Sequence, residues 1–465
     1  MTEPEVEMRP RVERMLVETV GEDWRGRVDV TRHGNLPSVF PVTELATASI
    51  AAAGVATRDL FEAVGLPAPH VVVDRRLASM WFGSSVRPQG WEPPPPWDAI
   101  AGDYRASDGW IRLHTNAPSH RAAALSVLGV PADRERVSAA VAQWDATDLE
   151  HAVVAAGGCA AAMRTTAQWD ASMPGRSVAA EPLVKVDAIP AGADYERKFW
   201  GGISDPARPL RGLRVLDLTR VLAGPVATRF LAQLGAEVLR IDPPEWDEPG
   251  ITPDVMLGKR SARMDLRDPV VRGSLLRLLS QADVLIHGYR PGALEGLGLG
   301  AAVREQARPG LVEVQLVAYG WSGPWAGRRG FDSLVQMSTG IAAAGMHALE
   351  RDRPTPLPVQ ALDHATGYLM AAAALHGLAA RHNTGAGSRA SLSLARTATL
   401  LTTHKPLAPV EPPMRVEDVG DLAPDFEQTS WGAARRLRAP VTIDGVRLQA
   451  EIPARSLGSD SAAWL

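Results

Sequence analysis

Four basic positions stand where strand-like runs give way to loops: Arg220 in "LDLTRVLAG", Lys259 and Arg260 in "GKRS", and Arg290 in "HGYRPG". Cations gathered at such ends, together with the start of the helix that follows Gly224, have the chemistry of an anion site, because backbone N–H groups and guanidinium groups can share one polyanion. Charge-assisted phosphate contacts are worth about 1.5 to 3 kcal/mol each, so three of them would hold a diphosphate. Taken singly, each arginine reads first as a solvated surface charge. One acid stands apart: Asp332 in "RRGFDSLVQ", directly after Gly330 and Phe331 and just downstream of the glycine turn "YGWSGPW". Its carboxylate is ionised at neutral pH, and from local sequence alone it reads as a helix cap. A second acid, Asp363 in "ALDHATG", opens another helical pattern.

These residues can converge only if the elements around them bring them together. "LRVLDL" is a short apolar run suited to a strand, "GPVATRFLAQLGA" has apolar residues at helical spacing, and "EVLRID" returns to strand, which makes a β-α-β unit. The alternation continues through "SLLRLLSQA", "DVLIHG", "AAVREQA" and "LVEVQLVAYG". Such a series predicts an α/β fold with a Rossmann-like, doubly wound, mostly parallel sheet. In that architecture the loops after the strands meet at one edge of the sheet, where ligands bind. Two alanine-rich segments, "DSLVQMSTGIAAAGM" and "DHATGYLMAAAALHGLAARH", follow as long helices, each opened by an aspartate.

The first part of the chain has a different texture. "TELATASIAAAGVATRDLFEAVG" is helical, "GWEPPPPWDAIAG" is a proline-broken connector, and "YRASDGWIRLHTN" carries an Asp-Gly turn between strand-like runs, as a hairpin does. The expected organisation is a helical segment and connector over 1–100, a smaller α+β domain over 101–190, and a Gly- and Pro-rich linker over 191–210, its composition shifting from about residue 186. A Rossmann-like domain over 211–400 and a tail over 401–465 lying on it complete the chain.

Composition narrows the function. A formal charge of −4 over 465 residues gives no bulk electropositive surface for nucleic acid. No apolar run reaches membrane-spanning length, and the charged N-terminus lacks the apolar centre of a signal peptide. A single cysteine, Cys159 in "AAGGCAAAM", allows no intramolecular disulfide or cysteine-based zinc site and reads as packing. A cytoplasmic protein without a metal is expected. No G-x-G-x-x-G joins the first strand to its helix, and neither a P-loop nor a G-x-S-x-G is present, which disfavours dinucleotide, kinase-like and serine-hydrolase chemistry. His287 reads as a strand-end histidine rather than a ligand.

Six collinear stretches carry a resemblance: "LRVLDLTRVLAGPVATRFLAQLGAEVLRIDPP", "GKRSARMDL", "ADVLIHGYRPGALEGLGLG", "YGWSGPW", "GFDSLVQMSTG" and "ALDHATGYLMAAAALHGL". Together they resemble the class III CoA-transferase family, also called the carnitine-CoA transferase-like or CaiB/BaiF family. The resemblance covers 211–395. The small domain, which members of that family place after the Rossmann-like one, stands first here, as though permuted.

What the resemblance implies is specific. Asp332 matches the nucleophile, which attacks an acyl-CoA and becomes an aspartyl-CoA thioester before CoA passes to a carboxylic acid acceptor. Arg220, Val221, Ala223, Lys259, Arg260 and Arg290 match positions lining the CoA pocket, and Gly320, Gly323 and Gly330 lie in loops whose N–H groups could stabilise an oxyanion. CoA and acyl-CoA are then substrates rather than a permanently bound cofactor, and an interlocked homodimer is expected. Racemases of the same family carry a second catalytic acid where Asp363 stands, but a histidine where this chain has Phe331. Phenylalanine moves no proton, so a transferase is preferred to a racemase or isomerase. A non-catalytic CoA-ester-binding protein is the reading from outside enzymology.

Overall fold

In the computed structural model the run from Leu213 folds as its composition dictates. Arg214–Leu218 is a strand buried along almost its whole length, as a parallel strand covered on both faces must be. It is the third strand of a seven-stranded sheet with the spatial order Lys259–Arg263, Glu237–Asp242, Arg214–Leu218, Val284–His287, Val312–Val317, Gly387–Ser393, Lys185–Ile189. All neighbours pair in parallel except the last, which is antiparallel. Counted along the chain, the parallel strands stand in the order 3-2-1-4-5-6. Winding therefore reverses between Arg214–Leu218 and Val284–His287, and the loops that leave those two strands part to form a crevice. The structure describes residues 3–190, 201–404 and 413–465, and side chains from residue 12 onward.

Successive residues of the first strand enter different cores. Val215 packs with helices Ala223–Gln233 and Ala361–Thr384, whereas Leu216 packs with Pro269–Leu279, so helices cover both faces. The first core also takes in Val42–Ala63, a helix buried without interruption from Val42 to Thr57 that lies along Ala361–Thr384. Where Ala361–Thr384 crosses Ala223–Gln233, a Cβ on Gly367 would lie 2.4 Å from the carbonyl oxygen of Ala223; glycine is what lets the two backbones meet.

A separate small core belongs to the three-stranded sheet Gly102–Arg105, Trp110–Leu113 and Ala160–Ala162 with helices Pro118–Leu128, Arg134–Val141 and Ala146–Ala155. The expected hairpin is present, with Tyr104 opposite Ile111.

Three expectations need correction. Lys185–Ile189, read in part as the start of a linker, is the antiparallel edge of the large sheet, paired with Gly387–Ser391; residues 191–200 of that linker lie outside the described residues. The helix expected across "DSLVQMSTGIAAAGM" is two helices, Asp332–Ser338 and Ile341–Ala348, broken at Gly340 with φ 88°. Finally, the tail does not lie on the large sheet alone: Gly432–Leu437 pairs with Val86–Pro88 and Val441–Ile443 with Val71–Asp74, which ties the end of the chain to its beginning.

Candidate active site

Phe331 precedes the helix Asp332–Ser338 with extended backbone and no side-chain cap. Asp332 therefore does not cap its own helix. It caps another: its Oδ2 accepts the backbone N–H groups of Leu362 and Asp363, at 2.9 and 3.0 Å, in the first turn of Ala361–Thr384. Those N–H groups have no partner within their helix, and the helix dipole adds to their pull on an anion. Oδ1 accepts from Gln336 Nε2, and Gln336 Oε1 in turn accepts the N–H of Leu357 at 2.7 Å.

Asp332 is 1% exposed. Burial pushes its carboxyl up to about 6, against the pull of the three hydrogen bonds and of Arg112. Asp363, also buried, is pushed well above the ordinary carboxylate range by desolvation first and by the charge of Asp332 second. With the donors gathered on Asp332, at neutral pH that residue carries the negative charge and Asp363 the proton.

Asp332 and Asp363 open onto a cavity of 570 Å³ whose walls include Phe82, Trp97, His114, Trp246, Phe331 and His364. The His114 ring lies parallel to Phe331 with centroids 3.6 Å apart, and desolvation holds its imidazole down to about 3. His364 is held down to about 3 for the same reason. Both are neutral. A second cavity, of 730 Å³, is lined by Arg220, Arg290, Arg328, Arg329 and the first turn of Ala223–Gln233. The two share Ala117, Val221, Trp246, Phe331 and Asp363 as a common wall.

The loop after the first strand sets that wall. Val221 has φ 64°, a left-handed conformation costly for a β-branched residue, and its N–H donates to Glu248 Oε2 at 2.8 Å. Arg220 turns to the other side, over the rings of Trp246 and Tyr289 at 5.0 and 5.4 Å, and donates to the Tyr289 hydroxyl at 3.1 Å. The exposed Arg290, from the loop across the crevice, makes no side-chain hydrogen bond or ion pair among the described residues.

Two of the sequence-predicted cations are elsewhere. Lys259 is fully buried, paired with Asp217 at 3.3 Å and donating to the Pro225 carbonyl at 2.8 Å. Arg260 donates to the carbonyl of Ala463 at 2.7 Å and so fastens the tail. Neither lines either of these two cavities: both lie within the buried start of the strand Lys259–Arg263 rather than in a loop that leaves a strand. Gly320 and Gly323 are also displaced from the site. The N–H groups of Trp321 and Ser322 between them both donate to Glu181 Oε1 at 2.8 Å, so an internal carboxylate occupies that loop. Gly330 does reach the second cavity, pressed so close to Ala318 and Tyr319 that a Cβ would sit 2.7 and 2.6 Å from them.

Sequence reasoning passed over Arg328 and Arg329, although they stand immediately before "GFD". Arg328 lies over the Trp325 ring at 3.9 Å and donates to Glu150 Oε1 at 2.7 Å. Glu150, 0% exposed, also pairs with Arg164. That triad joins the small core to the loop holding Asp332. His114, Trp97 and Glu248 carried no local signal at all.

Residues 210–427 match the model of CoA-transferase family III. Over 316 residues the chain is 30% identical to an acetyl-coenzyme A transferase of Hypoxylon pulicicidum, spanning 63% of this chain and 53% of that protein. It is 37% identical over 196 residues to a probable fatty acyl-CoA transferase of Mycobacterium tuberculosis (39% and 49%), and 33% identical over 198 residues to a mouse succinyl-CoA:glutarate CoA-transferase (39% and 44%). The chain thus spans about half the length of the curated relatives it matches. A crystal structure of Rv3272 from M. tuberculosis is 35% identical and covers 43% of this chain and 57% of that one, with a TM-score of 0.40. The family stretch holds Asp332, Asp363, Arg220 and Arg290, whereas Phe82, Trp97 and His114 lie upstream of it.

Proposed function

We propose that this protein is an acyl-CoA:carboxylate CoA-transferase that works through a covalent aspartyl-CoA thioester on Asp332. The observation that carries the reading is the buried Asp332 on the aromatic cavity, flanked by Phe331 and near Asp363, two residues of the wall which that cavity shares with the arginine-lined one. CoA phosphates fit the first and an acyl group the second, which brings a thioester to the shared wall. One carboxylate oxygen of Asp332 attacks the thioester carbon, giving a mixed anhydride and releasing the CoA thiolate. The thiolate attacks the aspartyl carbonyl, which frees the donor acid and leaves aspartyl-CoA thioester. The acceptor carboxylate repeats the two steps in reverse, restoring Asp332 and leaving as its CoA ester. No water or redox partner enters the balance.

The barrier is lowered chiefly by position and by hydrogen bonding. An effective molarity raised by two anchored ends compensates for the weak nucleophilicity of a carboxylate. A protonated Asp363 on the shared wall can donate to the oxyanion that develops, a contribution worth about 3 kcal/mol for one well-placed donor. The face-to-face contact of His114 with Phe331 favours a second reading, racemase-like proton transfer at the α-carbon, because it returns an imidazole to the place that Phe331 leaves without one. An imidazole held down to about 3 is a poor base for that task, so the transferase reading stands first.

Intact-protein mass spectrometry after incubation with acyl-CoA esters tests it. A hydroxylamine-sensitive adduct on the peptide containing Asp332, absent from Asp332→Asn, is the expected result. Unimpaired turnover by Asp332→Asn would end the nucleophile assignment, and deuterium uptake at the α-carbon without an adduct would shift the assignment to isomerisation.

A further inference from the structure

The two cavities differ in charge as well as in volume. The cavity with Arg220, Arg290, Arg328 and Arg329 is cationic, while among the described residues the aromatic cavity is lined by no lysine or arginine at all. Its carboxyl groups are the only acids or bases there besides two neutral histidines: Asp98, Glu248 and Asp254, with the exposed Asp247, join Asp332 and the protonated Asp363. The cations that balance the first three stand behind them rather than in the cavity. Arg121 pairs with Asp98 at 2.9 Å, Arg240 with Glu248 at 2.5 Å and Arg229 with Asp254 at 2.7 Å, and Arg229 and Arg240 are almost wholly buried.

We infer that the acyl group taken from the donor, and the one delivered to the acceptor, is uncharged beyond its reacting carboxyl: an aliphatic or aromatic monocarboxylic acyl group, with dicarboxylic acyl-CoA esters rejected. This inference rests on the transferase reading. A tail ending in carboxylate would enter a chamber with no counter-ion to meet it and with ionised Asp332 close by, and a buried carboxylate without a partner is strongly disfavoured. An apolar tail meets Phe82, Trp97 and Trp246 and brings no polar group of its own that would need a partner. Rejection by unmatched charge discriminates far more sharply than a difference of one methylene does. Because donor and acceptor occupy the same chamber in turn, both obey the rule.

The test compares hexanoyl-CoA and benzoyl-CoA with succinyl-CoA and glutaryl-CoA as donors, and S-hexyl-CoA with S-(3-carboxypropyl)-CoA as unreactive thioether probes in calorimetry. The expected kcat/KM ratio is at least about 100-fold in favour of the neutral esters, with a Kd ratio of the same sign for the thioethers. In Gln360→Arg, which places a cation at the chamber wall, the kcat/KM of succinyl-CoA relative to hexanoyl-CoA is expected to rise about 10-fold or more. Dicarboxylic esters used within about threefold of neutral ones, or equal binding of the two thioethers, would overturn the inference. Absence of transfer from every ester, with the thioether preference intact, would overturn the transferase reading and keep the selectivity of the chamber; binding of neither thioether would overturn both.

Discussion

Asp332 holds two properties that pull against each other, and the pH at which they are measured separates them. Burial pushes its carboxyl up to about 6 in the folded protein, so the anion that the transferase reading requires as nucleophile forms late, and the rate of adduct formation is expected to rise with pH through about 6 and level off above 7. A flat profile from pH 5 to 8 would contradict that environment. The same shift costs stability. The unfolded chain releases this proton first, so stability falls as pH rises from about 4 to about 6, by roughly 3 kcal/mol for a shift of about two units. Asp332→Asn, which still offers an oxygen to the N–H groups of Leu362 and Asp363, is therefore expected to lose activity and to melt several degrees above the wild type at pH 7.5. Near pH 4 the difference vanishes. A lower Tm at pH 7.5 would mean that Asp332 is chiefly a structural cap. The sequence exposed the acid at a loop-to-helix junction, but the helix it caps begins some 30 residues later, and pairings of that kind leave no local trace. The same holds for His114 against Phe331.

At the scale of elements, sequence periodicity located the strand and helix series well because those segments are buried on a regular face. It failed where the cause was tertiary. Lys185–Ile189 is an exposed edge strand with Lys185 and Asp187 on it, so only its ladder with Gly387–Ser391 marks it as strand. The break at Gly340 answers to the approach of Thr166, whose N would lie 2.2 Å from an added Cβ. Cations at strand ends looked alike in sequence, yet the sheet divides them into two kinds, and substitution should separate these. Arg290→Ala is expected to raise KM for acyl-CoA about tenfold with Tm unchanged, the loss of one charge-assisted contact. Lys259→Ala is expected to leave KM alone and lower Tm, since it strands Asp217 without its cation inside the protein. Steady-state kinetics beside thermal melts decide both. The triad of Glu150, Arg164 and Arg328 gives a third case: Glu150→Ala leaves two guanidinium groups without their shared acid and is expected to cost about 3 kcal/mol in urea unfolding, with kcat falling further as the loop before Asp332 loosens.

Across the whole molecule, the family stretch of residues 210–427 is not where the structure ends its dependence. Helix Val42–Ala63 lies along Ala361–Thr384, within the core that backs the main sheet. Leu45, Ile50, Val55 and Leu60 are each at most 2% exposed. At about 2 kcal/mol for each fully buried side chain, these four contribute about 8 kcal/mol, comparable to the entire stability of an ordinary domain. Residues upstream of 100 also supply Phe82 and Trp97 to the aromatic cavity and Val86–Pro88 to the sheet that fastens the tail. A chain beginning at residue 101 keeps Asp332, Asp363, Arg220 and Arg290. It is nevertheless expected to expose the apolar side of Ala361–Thr384, to bind a hydrophobic dye and to show no cooperative melting. A truncated chain that melts cooperatively and still forms the Asp332 adduct would mean that the N-terminal helices are an addition to a self-sufficient enzyme. The burial of Val42–Ala63 argues the opposite: its sequence is apolar on nearly every side, and a helix of that kind has no stable place in water except inside the core it shares with Ala361–Thr384.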